Sequence, residues 1–290
     1  MQFARPALAA IATLLFSAPA ASAWGDVGHE AVCEIAFQEL TPRARQAVED
    51  LMAGDQEHDD FYLACTWPDT PKKLRSREHF VNLLRDAPGI GADPCPIGDK
   101  CVVTAIIDDF GQLANGGAAA ERLASLKFLG HWLGDIHQPL HVSFVDDRGG
   151  NSIEENGPCV GSLHAVWDDC IVEERLGTDP LTIAEALRAE VTEADRAAWI
   201  PETMTLDVAR GWANESFAIA TDPATEYCVL REGVCWYSET TMVLGPDDSE
   251  KTVRADRDYL DRHAGMVARR LKMAGVRLGW LLNKSLEAGE

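Results

Sequence analysis

The chain has 290 residues, 46% hydrophobic and 25% charged, and its 26 Lys and Arg against 47 Asp and Glu give a formal net charge of −21. That apolar content supports a sizeable core and excludes an intrinsically disordered chain. The acidity excludes a general attraction for phosphate backbones, so any anionic substrate has to be drawn by local charge.

Residues 1–23 read as a secretory signal: Arg5, an apolar run from Ala7 to Phe16, and the small-residue stretch Ala21-Ser22-Ala23, with cleavage expected after Ala23. The mature chain, 24–290, then begins at Trp24, whose free α-amino group can ligate a metal when deprotonated. No later stretch has the roughly 18 apolar residues that a bilayer span requires. A secreted or periplasmic protein without stable membrane association is expected. Its 8 cysteines then suggest disulfides rather than a thiolate metal site, and no C-x2-C pair occurs. Proximity in sequence suggests Cys95–Cys101, Cys159–Cys170 and Cys228–Cys235, leaving Cys33 with Cys65, although sequence alone does not fix connectivity.

Helical periodicity dominates the remainder. Apolar Val32, Ile35, Ala36 and Leu40 mark a first helix from His29 to Leu40, and Thr41-Pro42 stops it while capping the next. Further helices are expected at Pro42–Met52, Val102–Leu113, Ala118–Ile136, Ser162–Leu176, Leu181–Ala189, Thr205–Ala220 and Glu250–Leu286. Pro88–Lys100 and Ser143–Gly161 read as loops, the second with room for a short hairpin. The expected fold is all-α, one compact multi-helix domain with long loops.

The chemistry-bearing pattern is His131-x3-Asp135-x5-His141, followed by His164-x3-Asp168, with Trp24-x4-His29 upstream. A four-residue step turns a helix by about 400°, so each His-x3-Asp pair shares a face and can grip one ion. Pro139 cannot continue the helix, so the chain bends and His141 can swing back toward His131 and Asp135. His137 lies about 200° round from Asp135 and reads as structural or surface. His58 and His263 fall outside every pattern and read as surface residues, while Trp132 and Trp167 read as core.

These residues, with Trp67-Pro68-Asp69, His79-Phe80-Val81-Asn82, Gly149-Gly150-Asn151 and Ala274-Gly275-x-Arg277-Leu278, resemble the zinc-dependent S1/P1 nucleases, related in fold to bacterial zinc phospholipase C. The resemblance implies three Zn2+ ions. Asp69, His79, His131 and Asp135 would hold the first, and His141, His164 and Asp168 the second. Trp24 and His29, with a bridging Asp135, would hold the third. It also implies that metal-activated water attacks phosphorus, with Asp69 and Asn151 assisting catalysis; Lys72, one turn after Asp69 in sequence, is expected to reach the phosphate as a point charge. Phe80 would stack a base, and Asn82 stands where fungal members carry a base-binding aspartate, which bears on base preference. The implied activity is endonucleolytic hydrolysis of single-stranded DNA and RNA to 5′-phosphorylated products by a monomer, with 3′-mononucleotides as further substrates. Two alternatives stand beside it: a zinc-dependent phospholipase C, and a zinc-stabilised binding protein without turnover.

Overall fold

The computed structural model describes residues 24–70, 72–155, 157–159, 161–227, 229–232, 234–236, 252–253 and 255–287. Helices α1 (Asp26–Gln38), α2 (Pro42–Met52) and the short α3 (Phe61–Ala64) open the chain, followed by strand β1 (Val81–Leu83). Then come α4 (Val102–Ala114), α5 (Ala119–His137), strands β2 (Val142–Phe144) and β3 (Glu154–Glu155), α6 (Leu163–Ala165) and α7 (Ile171–Arg175). The C-terminal half holds α8 (Pro180–Ala189), α9 (Glu193–Trp199), α10 (Leu206–Ala220), strands β4 (Val229–Arg231), β5 (Val234–Trp236) and β6 (Thr252–Val253), and α11 (Arg257–Glu287).

Local chemistry explains the boundaries. The Thr41 hydroxyl accepts from Ala44 N at 3.2 Å, with Pro42 at the first helical position of α2. Thr205 caps α10 in the same way, and Thr192 with Asp195 forms a capping box on α9. At seven residues, α9 is too short to show a periodic signal.

Every residue of α5 from Ser125 to His137 is buried, so this helix is the axis of the molecule rather than an amphipathic surface helix. Helices α1, α4, α10 and α11 pack around it. The small-residue and apolar content of both α5 and the second half of α11 permits this enclosure. No described helix is long and apolar enough to cross a membrane.

Three expectations are corrected. Among the described residues, the loop 143–161 closes by a single antiparallel bridge, Glu154–Ser162, rather than by a two-stranded hairpin, and its strand β3 pairs in parallel with β6. The antiparallel hairpin is instead β4–β5. The last helix begins at Arg257 rather than Glu250, because β-branched Thr252 and Val253 are drawn into that pairing. The expected Ser162–Leu176 helix is α6 and α7 joined through a π-helical turn, Val166–Cys170, that contains Asp168. Disulfides join Cys33–Cys65, Cys95–Cys101 and Cys159–Cys170; the expected Cys228–Cys235 pairing lies outside the described residues.

Candidate metal centre

Two backbone devices assemble the site. Helix α5 carries His131 and Asp135 into the interior, then stops as Gln138 turns extended (ψ 118°) before a 3-10 turn, Pro139–His141. Strand β2 then runs parallel to β1 with Val142 opposite Val81, which sets His141 beside His79. His79 ends another 3-10 turn, Ser76–His79, held by Arg75, which donates to Glu78 and to Asp109 at 2.7 Å each. Asp109 also accepts from Trp132 Nε1 at 2.8 Å, tying that turn to α5. The Cys33–Cys65 bridge fixes the segment entering the Trp67–Asp69 turn, which presents Asp69.

Hydrogen bonding then fixes the imidazole tautomers. Backbone carbonyls only accept, so each ring nitrogen facing one must donate, and in a neutral ring the other nitrogen keeps its lone pair. His131 Nδ1 donates to Cys65 O at 2.8 Å and His79 Nε2 to Leu74 O at 2.8 Å. That leaves His131 Nε2 and His79 Nδ1 facing each other, lone pair to lone pair, at 3.0 Å. The second pair repeats the pattern: His141 Nδ1 donates to His79 O and His164 Nδ1 to Gly149 O, both at 2.6 Å. Their Nε2 atoms then confront each other at 3.1 Å. Two facing lone pairs repel unless a cation lies between them, and backbone-oriented imidazoles are the usual support for a metal ligand.

Carboxylates complete the set. Asp135 Oδ2 lies 3.2 Å from His79 Nδ1 and 3.4 Å from His131 Nε2, and Oδ1 lies 3.5 Å from His29 Nε2. Asp168 Oδ2 is 3.3 Å from His164 Nε2, and Asp69 Oδ1 is 3.5 Å from His79 Nδ1. Three groups could each hold an ion: His29, His131 and Asp135; Asp69, His79 and His131; and His141, His164 and Asp168. Both ring nitrogens of His29, both carboxylate oxygens of Asp135 and one oxygen of Asp168 are buried without hydrogen-bond partners among the described residues. Unsatisfied buried polar atoms are costly, so this donor set fits a bound divalent cation better than an empty polar core. Trp24 is fully buried, and Gly25 N donates to Asp168 O at 2.9 Å, which holds the start of α1 against the centre.

Burial is the largest influence on these groups. It pushes the Asp135 carboxyl up to about 8 and Asp168 well above the ordinary range, and it lowers His79 and His164 to about 4 and His29 well below its ordinary value. In the metal-free pocket at pH 7 the imidazoles are already neutral, whereas Asp135 carries a proton that an incoming ion must displace. Apparent zinc affinity is therefore expected to fall at least about tenfold per pH unit below 8, and faster if Asp168 releases a second proton. Competition with a chromophoric chelator between pH 8.5 and 6 checks this, and an affinity that stays level over that range contradicts it.

A cleft of about 370 Å³ opens onto His141 and His164 and is lined also by Lys73, Phe80, Asn82, Arg148 and Asn151. Phe80, Asn82 and Asn151 thus line one cleft beside His141 and His164. Lys72 does not: it is exposed outside the cleft, and Lys73 instead reaches Asp69 Oδ1 at 3.3 Å. The one-turn spacing behind the choice of Lys72 assumed a continuing helix, but the turn ends at Asp69 and Thr70 is extended. Sequence reasoning also missed Gln138, buried, whose side chain donates to Asp168 and accepts from Leu140 N across the helix break.

Among the remaining histidines, His137 is buried and structural: Nδ1 donates to Leu133 O, and Nε2 accepts from Arg277 at 2.8 Å. His263 is buried at 6% exposure against Trp167 and Tyr259, and not on the surface as expected. His58 is half-buried beside Asp55. Distant Trp167 joins neighbouring Tyr259 in covering His263, and distant Lys127 joins neighbouring Asp55 beside His58. Trp132 and Trp167 are core residues, as expected.

An all-α frame enclosing a His/Asp centre that communicates with a cleft lined by basic and amide side chains fits a metal-dependent hydrolase. Residues 24–287 match the S1/P1 nuclease family model, and the chain belongs to that family. It is 30% identical to Endonuclease 3 of Arabidopsis thaliana over 288 residues, covering 91% of this chain and 90% of that protein. It is 35% identical to Endonuclease 2 of the same plant over 178 residues, 55% of this chain and 60% of that one. Nuclease S1 of Aspergillus oryzae is 27% identical over 281 residues, 89% of this chain and 90% of its own.

Proposed function

We propose that the protein is an exported, monomeric, zinc-dependent endonuclease that hydrolyses phosphodiester bonds of single-stranded DNA and RNA to 5′-phosphorylated products, with 3′-mononucleotides as further substrates. The observation that carries this reading is the cleft opening directly onto His141 and His164. A purely structural metal site is closed by its ligands, whereas a catalytic one keeps a way in for water and substrate. Family membership and the names of the relatives support a nucleic-acid substrate.

Neutral imidazoles and carboxylates suit zinc. Asp69, His79, His131 and Asp135 would hold one ion, His141, His164 and Asp168 a second, and His29 with Asp135 and the Trp24 amine a third. Bound there, the ions would acidify a water and neutralise charge on phosphate oxygens. The chain's own groups do the rest. Asp69, between His79 and Lys73, is placed to orient that water or take its proton. Lys73, rather than Lys72, offers a positive charge at the cleft for the phosphate. Asn151 lines the same wall, and Phe80 offers a ring face to any unstacked base, with Asn82 beside it for base edges. A base held in a duplex would first have to leave its stack, which favours single strands. The three disulfides support an oxidising destination reached by cleavage after Ala23.

Zinc content measured alongside hydrolysis of single-stranded DNA, RNA and phosphatidylcholine tests the reading, using chains that begin at Trp24 and at Ala23. The Trp24 form is expected to hold three zinc ions and cleave both nucleic acids. The Ala23 form, its Trp24 nitrogen locked in an amide, should lose one ion and most turnover. Cleavage of lipid with nucleic acids untouched would make the protein a phospholipase.

A further inference from the structure

Apart from the ligand imidazoles, the charged residues lining the cleft are Lys73, Arg77 and Arg148, with no carboxylate among them. In a chain of net charge −21 this is a local reversal of sign. Two of the three are engaged: Lys73 with Asp69 at 3.3 Å and Arg77 with Asp99 at 3.2 Å. Nearby Arg75 and Arg85 are likewise paired, with Glu78 and Asp109 and with Asp146 and Asp147. Among the described residues the Arg148 guanidinium has no acidic partner, and its charge bears on His164 at the mouth of the centre.

The backbone adds a second, independent observation. Arg148 adopts a left-handed conformation (φ 58°), followed by Gly149 at φ 67° and Gly150 at φ 81°. Glycine or asparagine takes such a position with less strain than arginine, and strain of this kind concentrates at functional sites. The conformation is imposed by anchors on either side. Buried Asp147 accepts from Arg85 at 2.7 Å, from Tyr227 Oη at 2.8 Å and from Gly150 N at 3.0 Å, while Gly149 O receives the His164 proton. Asn151 Nδ2 donates to Arg148 O at 2.9 Å and closes the turn. The loop is thus a fixed platform carrying a guanidinium with no acidic partner among the described residues beside the candidate ligands, at a position where arginine is the wrong residue for the backbone alone.

We infer that Arg148 binds a backbone phosphate adjacent to the scissile one, so that the enzyme selects oligonucleotides over substrates bearing a single phosphate. This rests on the nuclease reading for the identity of the ligand. Guanidinium is suited to the task because its fork meets two phosphate oxygens at once. Lys73, paired with Asp69, would serve the reacting phosphate, and the two cations would divide the strand between them.

The test compares kcat/KM of the zinc-loaded protein on a single-stranded octanucleotide and on a dinucleoside monophosphate, which has only the scissile phosphate. Arg148→Asn, chosen because asparagine tolerates the left-handed turn, should cut the preference for the octamer about tenfold, equivalent to losing one charge-assisted phosphate contact. It should also make the slope of log kcat/KM against log salt shallower by about 0.7, the value for one phosphate contact on a single strand. Arg148→Lys should keep the charge and most of the slope. An unchanged preference and slope, or an equal loss on both substrates, overturns the inference. If the parent protein cleaves neither substrate, the nuclease reading falls separately. Fluorescence anisotropy with a labelled octathymidylate then decides Arg148: a salt slope identical in parent and Arg148→Asn rejects it.

Discussion

Asp135→Asn is expected to reduce turnover by at least about 10³-fold while leaving the metal-free protein as stable as its parent or more so. Asp135 faces His79 and His131 through one oxygen and His29 through the other, so its charge is shared among three of the imidazoles of the centre. The amide keeps the shape and removes the charge. Metal-based stabilisation of a transition state amounts to several kcal/mol, which is the origin of the 10³ figure. The apo stability follows from the opposite term: burial pushes the carboxyl up to about 8, so the fold resists its charge and an amide relieves that penalty. Zinc content, turnover on single-stranded DNA and urea unfolding after chelation separate the effects. Parental turnover at full zinc loading would remove Asp135 from the centre.

Gly134→Ala is the second large expectation, and its sign contradicts helix propensity. Alanine inside α5 should favour the helix by up to about 1 kcal/mol over glycine. Here an added Cβ would stand 2.5 Å from His29 Nδ1 and 2.6 Å from His29 Cε1. His29 has little room to yield, being 1% exposed and stacked on the His131 ring at 3.9 Å between centroids. Either α1 separates from α5 or the imidazole leaves its place. Overpacking of this kind costs roughly 1–3 kcal/mol, and turnover should fall with the loss of the ion proposed at His29. Gly211→Ala, on α10 with open space around it, is the control and should be neutral or mildly stabilising. Equal behaviour of the two variants in urea unfolding and zinc content would show that the α1–α5 contact does not constrain the site.

Much of the helical frame was legible because helix signals are local. Thr41-Pro42, the apolar spacing in α4 and α10 and the break at Pro139 each act within a turn or two of themselves. Part of what escaped depended on partners distant in sequence, and part on short local turns. The β1–β2 pairing spans only three residues per strand, too few for a period-2 pattern to register. His263 looked like an ordinary surface histidine until Tyr259 and Trp167 closed over it. Lys72 and Lys73 differ by one position, and the choice between them turned on whether the chain stayed helical after Asp69.

The sequence by itself determined the ligand types and their order, the helix-breaking proline between Asp135 and His141, and the predominantly helical class, since each rests on residue chemistry or on spacing within one element. Only the tertiary structure decided which ring nitrogen of each histidine keeps its lone pair. That choice depends on the carbonyls of Cys65, Leu74, His79 and Gly149, which reach the rings through folds of the chain that no local pattern encodes. It decided likewise that Arg148, one basic residue among 26 Lys and Arg, stands at the mouth of the centre without an acidic partner among the described residues, because pairing depends on what the completed fold brings alongside.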